Sequence, residues 1–232
     1  MKFLALECSA VAASAAVLEN GEVKASSFSN VAVTHSETLM PLAVATLEAS
    51  KIPLSDIDYF AVSSGPGSFT GIRIGISAIK GLALKDKKKC IGVSTLLSMA
   101  YTFRCSDGIV CCVMDARCKQ VYNALFEIKN GQVIRLTEDR ALLCEDLANE
   151  LESRYSDKNV TVTGDGTAVF MPFTEGKGNI KAADPLYRYQ SAVGVALAAE
   201  NEVDSAVQPE RLLPVYLRLP QAERELKAKQ NK

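Results

Sequence analysis

The chain has 232 residues, 48% of them apolar, and a formal net charge of −1. That apolar share fills one large core or two small ones and excludes a disordered polymer, while the near-neutral charge excludes a broad electrostatic footprint for nucleic acid. Seven cysteines, an odd number with no secretory leader pattern, predict reduced thiols in the cytoplasm; no apolar run reaches membrane-spanning length, since Met1 to Leu18 is broken by Lys2, Glu7 and Ser9.

In chain order, Phe3 to Leu6 reads as a buried strand, and Val11 to Leu18 and Val23 to Phe28 as a hairpin through Asn20-Gly21. A helix follows from about Thr34 to Ala49, with Thr34 and Glu37 at capping-box spacing and Pro41 expected to kink it. Tyr59 to Val62 is the next strand, and Gly65-Pro66-Gly67 is a tight turn into a helix capped by Ser68. On that helix Phe69, Ile72, Ile76 and Ile79 form a bulky face, and Gly71, Gly75 and Ala78 a small-residue stripe about a quarter turn away.

The glycine-proline turn has two readings. Its backbone amides could cradle a phosphate, or it could simply join strand to helix. The Lys-Ser/Thr of a P-loop is missing, because Ile72 and Arg73 follow Gly71, and this favours the second reading. The basic cluster from Lys85 to Lys89 reads as a solvated loop after the helix, with an auxiliary RNA contact as the alternative.

A strand at Cys90 to Val93 and a helix from Thr95 to Phe103 complete a first lobe over 1–105. The second lobe, 106–220, restarts the pattern with a strand from Ile109 to Met114 ending in Asp115. Next come a strand from Gln120 to Glu127, a turn at Asn130-Gly131 and a strand from Val133 to Leu136. The two Asn-Gly turns lie 110 residues apart and the strand-ending acids Glu7 and Asp115 lie 108 apart. Gly164-Asp165-Gly166, after a strand at Val160 to Thr163, echoes Gly65-Pro66-Gly67, so the chain reads as an internal duplication. A helix from Pro185 to Ala199, a short terminal segment from Pro214 to Arg218 and a flexible polar tail over 221–232 end the reading. Cys111 and Cys112 read as small core residues. His35 is the only histidine and there is no Cys-x-x-Cys, so no zinc site of the usual kind can be built.

The segments Leu4 to Ser9, His35 to Leu39, Gly65 to Arg73, Met114 to Arg117 and Pro214 to Arg218 resemble the bacterial TsaB (YeaZ) family over nearly the whole chain. The resemblance implies an α/β fold of duplicated actin-like lobes, ribonuclease H-like, with mixed five-stranded sheets flanked by helices. It also implies a non-catalytic subunit of the machinery that places threonylcarbamoyl on adenosine-37 of tRNA. Its partners would be a TsaD-like catalytic paralogue and a TsaE-like ATPase, with self-association as a further expectation and tRNA met only through the complex. The catalytic paralogue carries a metal-binding His-x-x-x-His; here His35 is followed by Leu39 at the fourth position, and one imidazole cannot hold the metal.

Partner contact is expected on the two first-lobe helices, through His35, Leu39, Ala43, Gly71, Arg73, Gly75 and Ala78. The alternative is that the small-residue stripe packs inside the chain. A vestigial nucleotide cleft is expected at Glu7, Ser9 and Asp115, whose turns lack the glycines that let backbone approach phosphate; no cofactor is expected beyond a nucleotide held at the partner interface. An Asp–Arg pair bracing the strand end is the competing reading of Asp115. The rival function is a stand-alone ATP-dependent kinase or ATPase of the same fold.

Overall fold

The computed structural model describes residues 1–31 and 33–218; the tail expected over 221–232 lies outside the described residues. β1 (Lys2–Glu7), β2 (Ala13–Glu19) and β3 (Glu22–Ser29) form an antiparallel meander. Its hairpin turns at Asn20 and Gly21 with φ of 49° and 80°, the left-handed pair that suits a two-residue turn. The first half continues with α1 (His35–Ser50), β4 (Tyr59–Gly65), α2 (Phe69–Leu84), β5 (Lys89–Ser94) and α3 (Thr95–Tyr101).

The second half contains β6 (Gly108–Asp115), β7 (Gln120–Lys129), β8 (Gln132–Arg135), β9 (Arg140–Leu143) and α4 (Cys144–Tyr155). It closes with β10 (Val160–Thr163), α5 (Thr167–Phe170), β11 (Ile180–Ala182) and α6 (Ala192–Asn201).

The sheets have strand orders β3-β2-β1-β4-β5 and β8-β7-β6-β10-β11. In each, the meander is antiparallel and the last two strands run parallel to the first. Position by position the two orders are the same, and this is the duplicated actin-like architecture. The second sheet gains a sixth strand, β9, beside β7, where five were expected.

β1 is apolar from Phe3 to Leu6 because both its faces are covered there. Leu4 and Leu6 pack with Leu39, Ala43, Ile72, Ile76 and Ile79 of α1 and α2. Phe3 and Ala5 point the other way, onto Val195, Ala196 and Ala199 of α6. Alternation likewise sends Cys111 toward α4 and Cys112 toward α3. α3 lies between the lobes and meets α6 at Gly194, where an added Cβ would stand 2.1 Å from the Ser98 carbonyl oxygen.

Several expectations need correction. The lobes are not contiguous in sequence, because α6 and the segment after it return to the first sheet although they were assigned to 106–220. The helix expected from Pro185 starts at Ala192; Pro185 to Tyr187 make a single 3₁₀ turn, and Ser191 caps α6 by accepting from the Val193 amide. Thr34 precedes α1 as foreseen but its side chain caps nothing. Val11 precedes β2 and is exposed. Among the described residues no helix is long and apolar enough to cross a membrane.

Candidate functional site

Both sheets direct the C-terminal ends of their parallel strands toward the cleft between the lobes, the edge where ligands of open α/β folds bind. β1 ends there in Glu7, which is fully buried. One carboxylate oxygen accepts from the Ser9 amide at 2.5 Å and the other from the Ser63 hydroxyl on β4. Burial pushes this carboxyl above its ordinary range, and the hydrogen bonds from Ser63 and Ser9 offset only part of the rise. Glu7 is therefore committed to bracing the strand end. His35, at the start of α1, points Nε2 to the Ala10 carbonyl oxygen at 2.7 Å and tethers the following turn. Ser9 Oγ and His35 Nδ1 are buried without a partner among the described residues.

The glycine-proline turn packs closely against other parts of the chain. The Ser68 amide donates to the Ser9 carbonyl at 2.7 Å, and the Val215 amide to the Ser64 carbonyl at 2.8 Å. Gly65 has φ +133°, and a Cβ there would lie 2.1 Å from the Val215 carbonyl oxygen. At Gly67, with φ +157°, a Cβ would lie 2.4 Å from the Ser9 carbonyl oxygen. Ser68 caps α2 as foreseen, its hydroxyl accepting from the Gly71 amide at 3.2 Å.

The small-residue stripe faces inward, which corrects the surface expected for partner contact. A Cβ on Gly71 would lie 2.1 Å from the Cys8 carbonyl oxygen, and one on Gly75 would meet Val62 and the Cys8 sulfur at 3.0 and 3.1 Å. The glycines let α2 press onto the turn after β1. Leu39 and Ala43 are also buried, in the core beneath α1. His35 and Ala78 are half-buried and Arg73 is exposed. The outward faces carry Met40 and Val44 on α1, 37% and 50% exposed, and Arg73 on α2, which lies 5.2 Å over the Phe69 ring.

On the opposite lobe Asp115 accepts from the Arg117 amide at 2.7 Å and from its guanidinium at 3.1 Å, the bracing pair weighed from sequence. The same end of the second sheet holds Asp165, which sequence reading noted only as part of a turn. Burial pushes its carboxyl up, although Gln190 Nε2 donates to it at 2.6 Å. Among the described residues no group of three or more His, Cys, Asp or Glu could hold a metal ion.

The terminal segment from Leu213 to Arg218 straps the cleft. Val215 bonds to β4, and Tyr216 stacks on Phe69 with ring centroids 4.7 Å apart. Arg218 then donates to the Ala116 carbonyl at 2.9 Å and lies 5.8 Å over the Tyr122 ring. One short peptide thus joins the first lobe to the second.

The family model described as TsaD, tRNA N6-adenosine threonylcarbamoyltransferase, matches residues 29–225. The tRNA threonylcarbamoyladenosine biosynthesis protein TsaB of Bacillus subtilis is 29% identical over 223 residues, 96% of each chain. Its Escherichia coli counterpart is 35% identical over 164 residues, covering 70% of this chain and 71% of that one. The solved structure of YeaZ from Pseudomonas aeruginosa superposes with a TM-score of 0.78 at 26% identity, covering 93% of this chain and 99% of that one. With its duplicated actin-like lobes and these relatives, the chain belongs to the TsaB (YeaZ) family of tRNA threonylcarbamoyladenosine biosynthesis proteins.

Proposed function

We propose that the chain is a non-catalytic subunit of the tRNA threonylcarbamoyladenosine machinery, which binds and activates a TsaD-like catalytic paralogue and works with a TsaE-like ATPase. The observation that carries this reading is the state of the cleft. Glu7 and the Ser68 amide, at the strand end and helix start that a kinase of this fold would turn toward metal and phosphate, are engaged by Ser9 and Ser63 of the same chain, and Val215 closes on the Ser64 carbonyl beside them. Such a cleft supports lobes held in fixed relation better than it supports turnover.

The outward face of α1 and α2 is the proposed partner surface, centred on Met40, Val44 and Arg73. Apolar side chains at helical spacing with one exposed cation suit packing against the matching helices of a like-folded subunit, and the same surface accounts for self-association. The unpartnered Ser9 Oγ and His35 Nδ1 lie where the turn after β1 meets α1, and they supply polar groups for a nucleotide held between the two chains. The test is affinity purification of the tagged chain from its own cells, with mass spectrometry of what accompanies it, beside an ATPase assay of the isolated chain. The reading expects the TsaD-like protein in the eluate and no turnover above background. Robust turnover by the isolated chain, abolished by Asp115→Asn, overturns it in favour of a stand-alone ATPase.

A further inference from the structure

On the side of the first sheet covered by α6, opposite α1 and α2, a pocket of about 470 Å³ opens between the end of α3 and the turn before α6. Its walls include Tyr101, Arg104, Leu186, Tyr187, Tyr189 and Leu197. The volume is that of a site for one small molecule. Leu186 and Tyr187 stay 78% and 50% exposed, an unusual investment of apolar surface at a concave place. The aromatic platform also extends beyond the walls. Phe103 lies 6.0 Å from the Tyr187 ring and Phe28 6.4 Å from the Tyr189 ring.

The one full charge in the lining is Arg104. Its side chain is half-buried, and among the described residues it forms no ion pair, in contrast to Arg117, Arg135, Arg140 and Arg154. Burial pushes the Tyr101 phenol up, Glu202 at the end of α6 adds to the rise and Arg104 opposes it; among the described residues Glu202 and Arg104 form no ion pair. A half-buried guanidinium in an aromatic pocket is matched by a flat ring that carries an anion, since the ring stacks on tyrosine while the anion takes up the planar donor fork. A base with its pentose and phosphate matches this volume more closely than a lone aromatic acid does.

We propose that this pocket binds a single nucleotide, its base stacked on Tyr187 and Tyr189 and its phosphate on Arg104. Two sources share that chemistry: a free mononucleotide, and an unpaired nucleotide of RNA presented by a chain that needs no extended basic surface. The site makes no demand on the α1–α2 face, so it stands or falls apart from the partner reading.

Ligand-observed NMR titration of the full-length chain tests it, with AMP, UMP and a short unstructured oligouridylate as probes. Saturable binding is expected, weakened about tenfold by Tyr187→Ala and by Arg104→Ala, the loss of one stacking or charge-assisted contact. Lys85→Ala, on the loop after α2, should leave binding unchanged. Thermal melts of the variants should match wild type, because Tyr187 is half exposed. Tighter binding of the oligonucleotide than of UMP identifies RNA as the source, and equal or weaker binding identifies a free nucleotide. The proposal is overturned if no probe binds saturably, or if binding survives both pocket substitutions.

Discussion

Three alanine substitutions on α2 separate internal packing from partner packing, because the same chemical change meets three different surroundings on one helix. Gly81 has nothing within 4 Å of an added Cβ, so Gly81→Ala gains helix propensity alone, about 0.5–1 kcal/mol of stabilisation. At Gly75 the Cβ meets the Val62 methyl at 3.0 Å and the Cys8 sulfur at 3.1 Å. Side chains can yield by a few tenths of an ångström, so propensity and crowding there offset to within about 1 kcal/mol. At Gly71 the Cβ would stand 2.1 Å from the Cys8 carbonyl oxygen, a backbone atom anchored in the turn after β1. Normal contact needs more than an ångström of movement of either helix or turn, and overpacking of that kind costs about 1–3 kcal/mol or more. Thermal or urea unfolding of the three variants should rank them Gly81→Ala, wild type or Gly75→Ala, then Gly71→Ala. For a chain of this length 1 kcal/mol moves the melting temperature by about 2–4 °C, so the two ends of the series should lie several degrees apart. A Gly71→Ala protein as stable as wild type would refute the inward placement of the stripe and restore it as a partner surface.

Glu7 sets a pH dependence whose sign follows from its buried carboxyl. The folded protein holds this proton to higher pH than the unfolded chain, so its contribution to stability is greatest below the ordinary carboxylate range and is lost as pH rises through the folded value. Glu7→Gln keeps the acceptor for the Ser9 amide and cannot ionise, so urea melts across pH 4–8 should show it gaining on wild type as pH rises; equal slopes would contradict the account. Truncating the strap with Tyr216→Ala and Arg218→Ala removes an aromatic stack and an interlobe hydrogen bond, each about 1 kcal/mol. Hydrogen exchange should quicken at 115–119 and 64–69, whereas unchanged protection would mean that the strap holds nothing. Cys105 and Cys118 are exposed and the other five cysteines buried and free. Brief alkylation of the native protein should therefore modify two thiols and alkylation in denaturant seven, and a pair that resists labelling in denaturant would contradict a fully reduced chain.

Much of the fold was legible because local chemistry sets it. Asn20-Gly21 and Asn130-Gly131 fix hairpins, alternation fixes which cysteine faces which layer, and the matched spacing of turns and strand-ending acids exposes the duplication. The return of α6 to the first sheet was not legible, since chain order does not say which sheet a helix covers. A signal was nonetheless present: Ala192 to Ala199 is apolar all round, the mark of a helix enclosed on every side. α4 escaped notice among its acids, although Leu147, Ala148, Leu151 and Tyr155 keep helical spacing on its buried face. At the site, a stripe such as Gly71 and Gly75 declares only that backbone approaches closely. Whether that backbone belongs to the same chain or to another depends on tertiary contacts, and here it is Cys8.

In the function proposed above, the outward face of α1 and α2 binds a like-folded catalytic subunit while the cleft does no chemistry of its own. Calorimetric titration of the TsaD-like protein from the same organism into wild type, Val44→Glu and Asp115→Asn tests it most directly. Val44 is half exposed, so the glutamate leaves the isolated fold intact but would be buried without a counter-charge in the complex. Binding by wild type and by Asp115→Asn with equal affinity, and a loss of at least about tenfold for a folded Val44→Glu, is the predicted result. Affinity that Val44→Glu leaves unaltered, or that Asp115→Asn abolishes, would contradict the claim.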